Sequence, residues 1–394
     1  VVVDHRSGDR AHAGPRGAAR RLSAVRIGLD VTAMHVDRGG SAAHVRGLWQ
    51  ALSEAAGDVV ALSCPGAKPP AMPRQWRDRL ATVRRDIGWS LAGVERAARH
   101  AGVTLLHVPV PIGPSWGGLP LVVTVHDLFV LTHPRRFRRW HRTYSAATIP
   151  PLLRRARAVI TVSPHTRDAV LERFGLDAAR VHVVPNGVPD VFRPRPAEDP
   201  VVVAARQACG LPPRYVMSVG QVEPRKNLER LVAAARLART ALGARDLVVV
   251  HAGPPGWGDS AHAVPRAAAA SGGAFRLLGA LEESTLAALV AGATALAYPS
   301  LGEGFGLPVA EAMASGTAVL TTHAGALRDV AGDDAEIVNP TSVEAIADGL
   351  VRLWADDAHR RRLAARGLAR AARWRWPAVA DATRAVYDWA WRHG

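Results

Sequence analysis

Two glutamates eight positions apart, Glu303 and Glu311, sit in the stretch Ser300 to Gly316, which reads SLGEGFGLPVAEAMASG. An apolar run ending in Ala297-Tyr298-Pro299 leads into a loop of Gly302, Glu303, Gly304, Phe305 and Gly306, and Pro308 then opens a helical pattern. Glycines let backbone N–H groups approach a ligand, and proline suits the first helical position because an N–H there would be unpaired anyway. The unpaired N–H groups and the dipole of such a helix favour a phosphate at its start. Carboxylates beside a phosphate cradle would repel the ligand unless they reach past it to neutral hydroxyls. A nucleotide sugar, with hydroxyls on both sides of its diphosphate, meets that condition. The same residues also fit a plain strand, loop and helix with one exposed Glu and one Glu favoured by the helix dipole, and spacing alone does not separate the two.

Cations come from Glu223-Pro224-Arg225-Lys226-Asn227, at the start of a second helical pattern. The chain uses arginine almost everywhere and lysine only at Lys68 and Lys226. A lysine kept here suggests a site wanting a compact ammonium, as a phosphate contact would; chance survival is the alternative. The apolar strand pattern Val122 to Val125 ends in His126-Asp127, at a carboxyl edge, where ligands bind in open parallel sheets. A structural histidine fits that position as well. Asp37-Arg38-Gly39-Gly40-Ser41 is a glycine turn before a helix, without the third glycine of a dinucleotide fingerprint, and reads equally as a tight turn.

These residues must be carried by a scaffold. From Val25 the chain alternates strand-like and helix-like segments: Val25–Val31, Val59–Ser63, Thr104–Val108, Leu121–Val125, Ala158–Val162 and Val181–Val184 as strands, with Ser41–Ala56 as a helix. A second series follows, with strands at Tyr215–Val219, Leu247–His251, Phe275–Leu278, Ala293–Tyr298 and Ala318–Thr321 and a helix over Leu228–Leu242. Such alternation predicts parallel sheets covered by helices, and 394 residues suffice for two domains. The expected division is a disordered leader over 1–21, a first domain over 22–195 joined by the end of the chain over 376–394, and a second over 196–375. Arg193 to Pro200, with three prolines, reads as the linker.

The formal charge of +16 invites a nucleic-acid reading, but the basic residues are spread along helices in an Ala-, Gly- and Arg-rich composition, with no recognised nucleic-acid motif. No nucleic-acid partner is therefore expected. Two isolated cysteines, Cys64 and Cys209, and no apolar run of spanning length point to a cytoplasmic protein. The densest basic run, 133–142, reads as a solvated helix face with Phe137 and Trp140 packed inward; the rival reading is a peripheral contact with the inner membrane face.

From about Val25 to about Trp391 the chain resembles retaining glycosyltransferase family 4, in its mannosyltransferase-like branch, through Glu303-x7-Glu311, His126-Asp127-Leu128, Glu223-Pro224-Arg225-Lys226-Asn227, Pro185-Asn186-Gly187-Val188 and His251-Ala252-Gly253-Pro254. The resemblance implies the α/β GT-B fold, two facing Rossmann-like domains with an interdomain cleft that closes on substrate. It implies that Glu303 contacts hydroxyls of the donor sugar, that Glu311 holds the ribose, and that backbone near Gly304, Phe305, Gly306 and Leu307 meets sugar or diphosphate. Arg225 and Lys226 would serve the departing diphosphate, although Gln221 stands where many relatives carry an arginine. His126 would face the donor sugar, Asp127 would orient His126 or meet the acceptor, and Gly39, Gly40 and Asn186 would line the site. Gly253 would let the nucleotide base approach. The implied reaction moves a hexose from a nucleotide sugar to a hydroxyl acceptor with retention and without a metal or other cofactor. GDP-mannose is the first expectation for the donor, and UDP-glucose or UDP-N-acetylglucosamine the next. A GT-B epimerase, a cyclitol-coupling relative and a non-enzymatic polyanion binder are the alternatives.

Overall fold

The computed structural model describes residues 25–36, 39–54, 58–67, 84–133, 139–243 and 246–393. The leader, Asp37, Arg38, Lys68 and residues 134–138 of the basic run fall outside them. The chain forms two compact units, one from the described parts of Val1–Gly187 and Trp376–Gly394, the other from Val188–Arg375.

The first unit holds β1 (Ile27–Asp30), β2 (Val59–Leu62), β3 (Leu105–Val108), β4 (Leu121–Val125), β5 (Ala158–Thr161) and β6 (Val181–Val183). They pair in the order β2-β1-β3-β4-β5-β6, every pairing parallel. The second unit holds β7 (Val216–Val219), β8 (Val249–Ala252), β9 (Phe275–Gly279), β10 (Ala295–Ala297), β11 (Val319–Thr321) and β12 (Glu336–Ile337). Their order is β12-β11-β10-β7-β8-β9, again all parallel. Parallel strands covered on both faces must be apolar throughout, and β4, with all five residues of LVVTV buried, illustrates it.

Each strand order reverses direction at one place, between β1 and β3 in the first unit and between β7 and β10 in the second. Connections leave to opposite sides there, opening a crevice beyond the strands' carboxyl ends in which such sheets bind ligands.

The closing helix, Trp376–Arg392, packs on the first sheet, burying Val379, Ala380, Val386, Tyr387 and Ala390. Tyr387 lies 2.7 Å from His107 Nδ1 on β3, whose other ring nitrogen is 2.9 Å from the Thr124 hydroxyl. Trp376 lies flat where Gly47 and Gly187 leave room: a Cβ on either would come within 2.1 and 2.3 Å of its ring. Trp374, just before this helix, is buried within the second unit, whereas Trp391 near its end is 40% exposed.

The expected strands and the Leu228–Leu242 helix are present, most with ends displaced by a residue or two. Leu247–His251 moves on to Val249–Ala252, and Ala293–Tyr298 shrinks to Ala295–Ala297. β12 escaped the sequence reading because two residues carry no periodicity. The helix assigned to start at Pro308 begins at Leu307, since Gly306 (φ 102°) is its N-cap and proline takes the second position.

Candidate functional site

In the second unit both strands flanking the switch point end in chemistry. β7 runs into Gly220 and the single 3-10 turn Pro224–Lys226, and β10 runs through Tyr298 to the glycine loop. The two loops are stitched together. The carbonyl of Arg225 accepts the Leu301 N–H at 2.9 Å, and the Asn227 side-chain amide donates to Pro299 at 3.0 Å and Pro340 at 2.7 Å. Asn227 is the sole non-glycine with positive φ among the described residues (61°), a conformation asparagine tolerates better than most. It turns the chain into the Leu228–Leu242 helix and fixes Arg225 and Lys226 over the end of β10.

At that point Glu303 is clasped. Arg225 Nη1 donates to its Oε2, while Lys226 Nζ, the Tyr298 hydroxyl and the Ser300 hydroxyl each lie 2.8 Å from its Oε1. Arg225 also donates to the Gly302 carbonyl at 2.9 Å and to Glu223 at 2.6 Å. Burial pushes the Glu303 carboxyl up, but Lys226 and Arg225 outweigh it and hold the group down at about 2. Burial draws the Lys226 ammonium below its ordinary value, an effect that Glu303 offsets in part and Arg225 reinforces. Burial would lower Arg225 too, yet Glu303 and Glu223 raise it overall, so the guanidinium stays charged. Arg225 and Lys226 therefore face oxygens of Glu303, Glu223, Gly302 and Tyr298 in a nearly dry corner, Glu303 being 6% exposed.

The Glu303 backbone is set from the other side by Gly325 (φ 63°), whose Cα lies so close that a Cβ would sit 2.6 Å from the Glu303 carbonyl, itself the acceptor of the Ala326 N–H. Downstream, Phe305 is buried with its ring edge-on to Trp374 at 5.9 Å, anchoring the loop, and Gly306 then caps the Leu307–Ala314 helix. The first N–H groups of that helix have no partner within it. Glu311, on the same helix, meets no protein donor among the described residues; burial, with Glu283 adding to it, pushes its carboxyl up to about 8. Gly253, after β8, permits a close approach by backbone: its Cβ would fall 1.8 Å from the Gly220 carbonyl, so the glycine locks the two loops together.

In the first unit His126 follows β4, and its Nε2 lies 2.9 Å from the Pro109 carbonyl beyond β3, on the carboxyl side of the sheet. That carbonyl can only accept, so Nε2 carries the hydrogen. Burial lowers the imidazole pKa, leaving the ring neutral with Nδ1 as an acceptor. The Asp127 carboxylate accepts the Phe129 N–H at 2.9 Å. Gly40 opens the Gly40–Glu54 helix, which carries His44 to an edge-on contact with His126, ring centres 4.7 Å apart. Both nitrogens of His44 and Oδ1 of Asn186 are buried without a partner among the described residues. Of the residues singled out from sequence, Arg225, Lys226 and Glu303 thus meet directly, and His126 gathers beside the helix that Gly40 begins.

Tyr298, Ser300, Glu223, Gly325 and His44 escaped the reading as site residues. Tyr298 and Ser300 had a signal, polar groups closing an apolar strand beside the glycine loop. His44 had none, since it occupies an inward position of an amphipathic helix.

Among the described residues no helix is long and apolar enough to cross a membrane, and no three His, Cys, Asp or Glu residues are grouped to hold a metal.

The family model for glycosyl transferases group 1 matches residues 205–370, and that for glycosyltransferase family 4 matches residues 38–192. Over 256 residues the chain is 30% identical to the O-antigen chain mannosyltransferase B of Escherichia coli, an alignment covering 65% of this chain and 66% of that one. Over 303 residues it is 32% identical to the MMP alpha-(1->4)-mannosyltransferase of Mycolicibacterium hassiacum, covering 69% and 66%. The chain thus spans just under two thirds of the length of either relative. Sucrose-phosphate synthase from Thermosynechococcus elongatus has a similar fold, with a TM-score of 0.74 at 22% identity over 94% of this chain and 100% of that one. With both family models matched in turn along the chain, mannosyltransferases among its relatives and two parallel six-stranded sheets, this chain belongs to glycosyltransferase family 4 and has the GT-B fold.

Proposed function

We propose that this protein transfers a hexosyl group from a nucleoside-diphosphate sugar to a hydroxyl acceptor with retention at the anomeric carbon. The observation that carries the reading is the clasp of Arg225 and Lys226 around Glu303 at the β7/β10 switch point, next to a glycine-capped helix start. Cations and helix N–H groups suit a diphosphate, and carboxylates suit the hydroxyls on either side of it. Glu303 would take hydroxyls of the donor sugar. Glu311, which meets no protein donor among the described residues, would take those of the ribose.

In the reaction the bond from the anomeric carbon to the β-phosphate oxygen breaks and the acceptor oxygen bonds to the same face of that carbon. The acceptor proton passes to the departing phosphate oxygen. Charge developing on the leaving group is met by Arg225, Lys226 and the helix start, which supply the positive potential that a metal would otherwise provide. Neither glutamate needs to act as acid or nucleophile. His126 would accept a hydroxyl hydrogen at Nδ1, and Asp127 would serve mainly to shape the turn that presents it.

Mannosyltransferases among the relatives favour a mannosyl donor, with GDP-mannose first and UDP-glucose or UDP-N-acetylglucosamine next. The test is a thermal-shift screen of nucleoside diphosphates and their sugars, followed by a transfer assay on the sugar that binds, because a ligand that prefers the folded state raises the melting point. A transferred sugar supports the reading, an interconverted sugar points to an epimerase, and salt-sensitive polyanion binding without nucleotide binding would replace the reading altogether.

A further inference from the structure

The clasp poses a problem of supply. A carboxylate offers about four acceptor positions, and Glu303 already faces four donors, Arg225, Lys226, Tyr298 and Ser300. Three of them crowd Oε1 while Arg225 meets Oε2, and with the side chain only 8% exposed a sugar hydroxyl has no room beside the carboxylate unless a donor withdraws. Tyr298 and Ser300 are buried just beyond the end of β10, and the Asn227 amide ties the two loops just beside them. Arg225 and Lys226 are the long cationic partners, held besides by the Glu223 carboxylate and Gly302 carbonyl and by the Tyr298 hydroxyl, and they are the ones a diphosphate would attract. Resting on the function proposed above, we infer that donor binding exchanges partners here: Arg225 and Lys226 turn from Glu303 to the diphosphate, the vacated lone pairs receive the sugar hydroxyls, and Tyr298 and Ser300 hold the carboxylate in place throughout.

The exchange makes Glu303 a competitor of the diphosphate, and it makes Tyr298 a positioning residue. It also couples recognition of the two halves of the donor. A nucleoside diphosphate alone must pull the cations away and leave Glu303 short of donors, whereas the intact donor replaces them with its own hydroxyls. Glu223, which keeps Arg225 at 2.6 Å, tethers the guanidinium during the change.

Calorimetry with GDP, UDP and ADP on the full chain tests this directly. Glu303→Gln keeps the shape of the side chain and removes the charge that competes for the cations. The variant should bind whichever nucleoside diphosphate the unaltered protein prefers about tenfold more tightly, a change of about 1.4 kcal/mol. Equal or weaker binding overturns the exchange, while failure of the unaltered protein to bind any of the three overturns the proposed function instead.

A second readout needs no change at the site. Because the chain contains only Lys68 and Lys226, ¹³Cε-lysine labelling gives two lysine signals, and Lys68→Arg assigns them. The Lys226 signal should move on saturation with the diphosphate, and a stationary signal contradicts the exchange. Tyr298→Phe should lower kcat with the donor sugar at least about tenfold while leaving diphosphate affinity within about threefold, a split that general loss of structure would not produce. Unchanged kcat removes Tyr298 from this role.

Discussion

At the scale of single residues the two glutamates of the loop and helix behave as opposites. Glu303 is held ionised by cations, whereas burial, with Glu283 adding to it, pushes the Glu311 carboxyl up to about 8. Its folded pKa lies above the ordinary 4.5, so its contribution to stability is complete below that value and is lost as pH rises through about 8. Replacing Glu311 with Gln should therefore raise the melting temperature relative to the unaltered protein, with a gap that widens from about pH 5 to about pH 8; a constant gap would contradict it. Ribose hydroxyls prefer the ionised form, so nucleotide affinity should climb more steeply over the same range in the unaltered protein than in the variant, where only the second ionisation of the nucleotide's terminal phosphate, at about pH 6, still contributes. Glu303→Ala should abolish transfer, and it should also destabilise the fold by about 3 kcal/mol, since the buried Lys226 loses its carboxylate while Arg225 keeps Glu223. Denaturant titration reads the second effect, and near-normal turnover would sink the first. Sequence alone gave Glu303 and Lys226 as separate contributors, because pattern shows spacing along the chain. That they neutralise one another depends on β7 and β10 being neighbours, which only the sheet order reveals.

At the scale of elements the site depends on glycines that let backbones touch. Gly325→Ala would need a Cβ 2.6 Å from the Glu303 carbonyl at positive φ, and should cost about 1–3 kcal/mol while lowering transfer by more than the lost folded fraction explains. An urea melt beside a rate measurement checks both. Gly253, which the resemblance assigns to the approach of a base, also admits the Gly220 backbone, a contact about thirty residues distant that no local pattern records. The parallel strands, by contrast, were legible almost to the residue, since being covered on both faces forces an apolar run, and the Leu228–Leu242 helix was read with its observed ends. β12 and the shortened β10 were not, because their lengths are set by neighbouring strands.

At the scale of the whole molecule the first unit is built from two distant pieces of sequence. Removing residues 376–394 would uncover the apolar face that Val379, Val386 and Tyr387 bury, strip His107 of a hydrogen-bond partner and empty the space between Gly47 and Gly187. The truncated chain should lose the cooperative melting of its first unit, and limited proteolysis should cut within 25–187 while sparing 188–375; an unchanged cleavage pattern would show the helix to be dispensable. Among the described residues the basic side chains behind the charge of +16 form local ion pairs in both units, as Arg155 does with Glu95 and Arg370 with Asp334.

The central claim is that Arg225 and Lys226 hold the diphosphate of a nucleotide sugar, and the affinity of Lys226→Ala for the preferred nucleoside diphosphate tests it most directly. Loss of one charge-assisted contact should weaken binding about 10- to 100-fold by calorimetry, with the circular dichroism spectrum unchanged. Affinity equal to that of the unaltered protein would contradict the account.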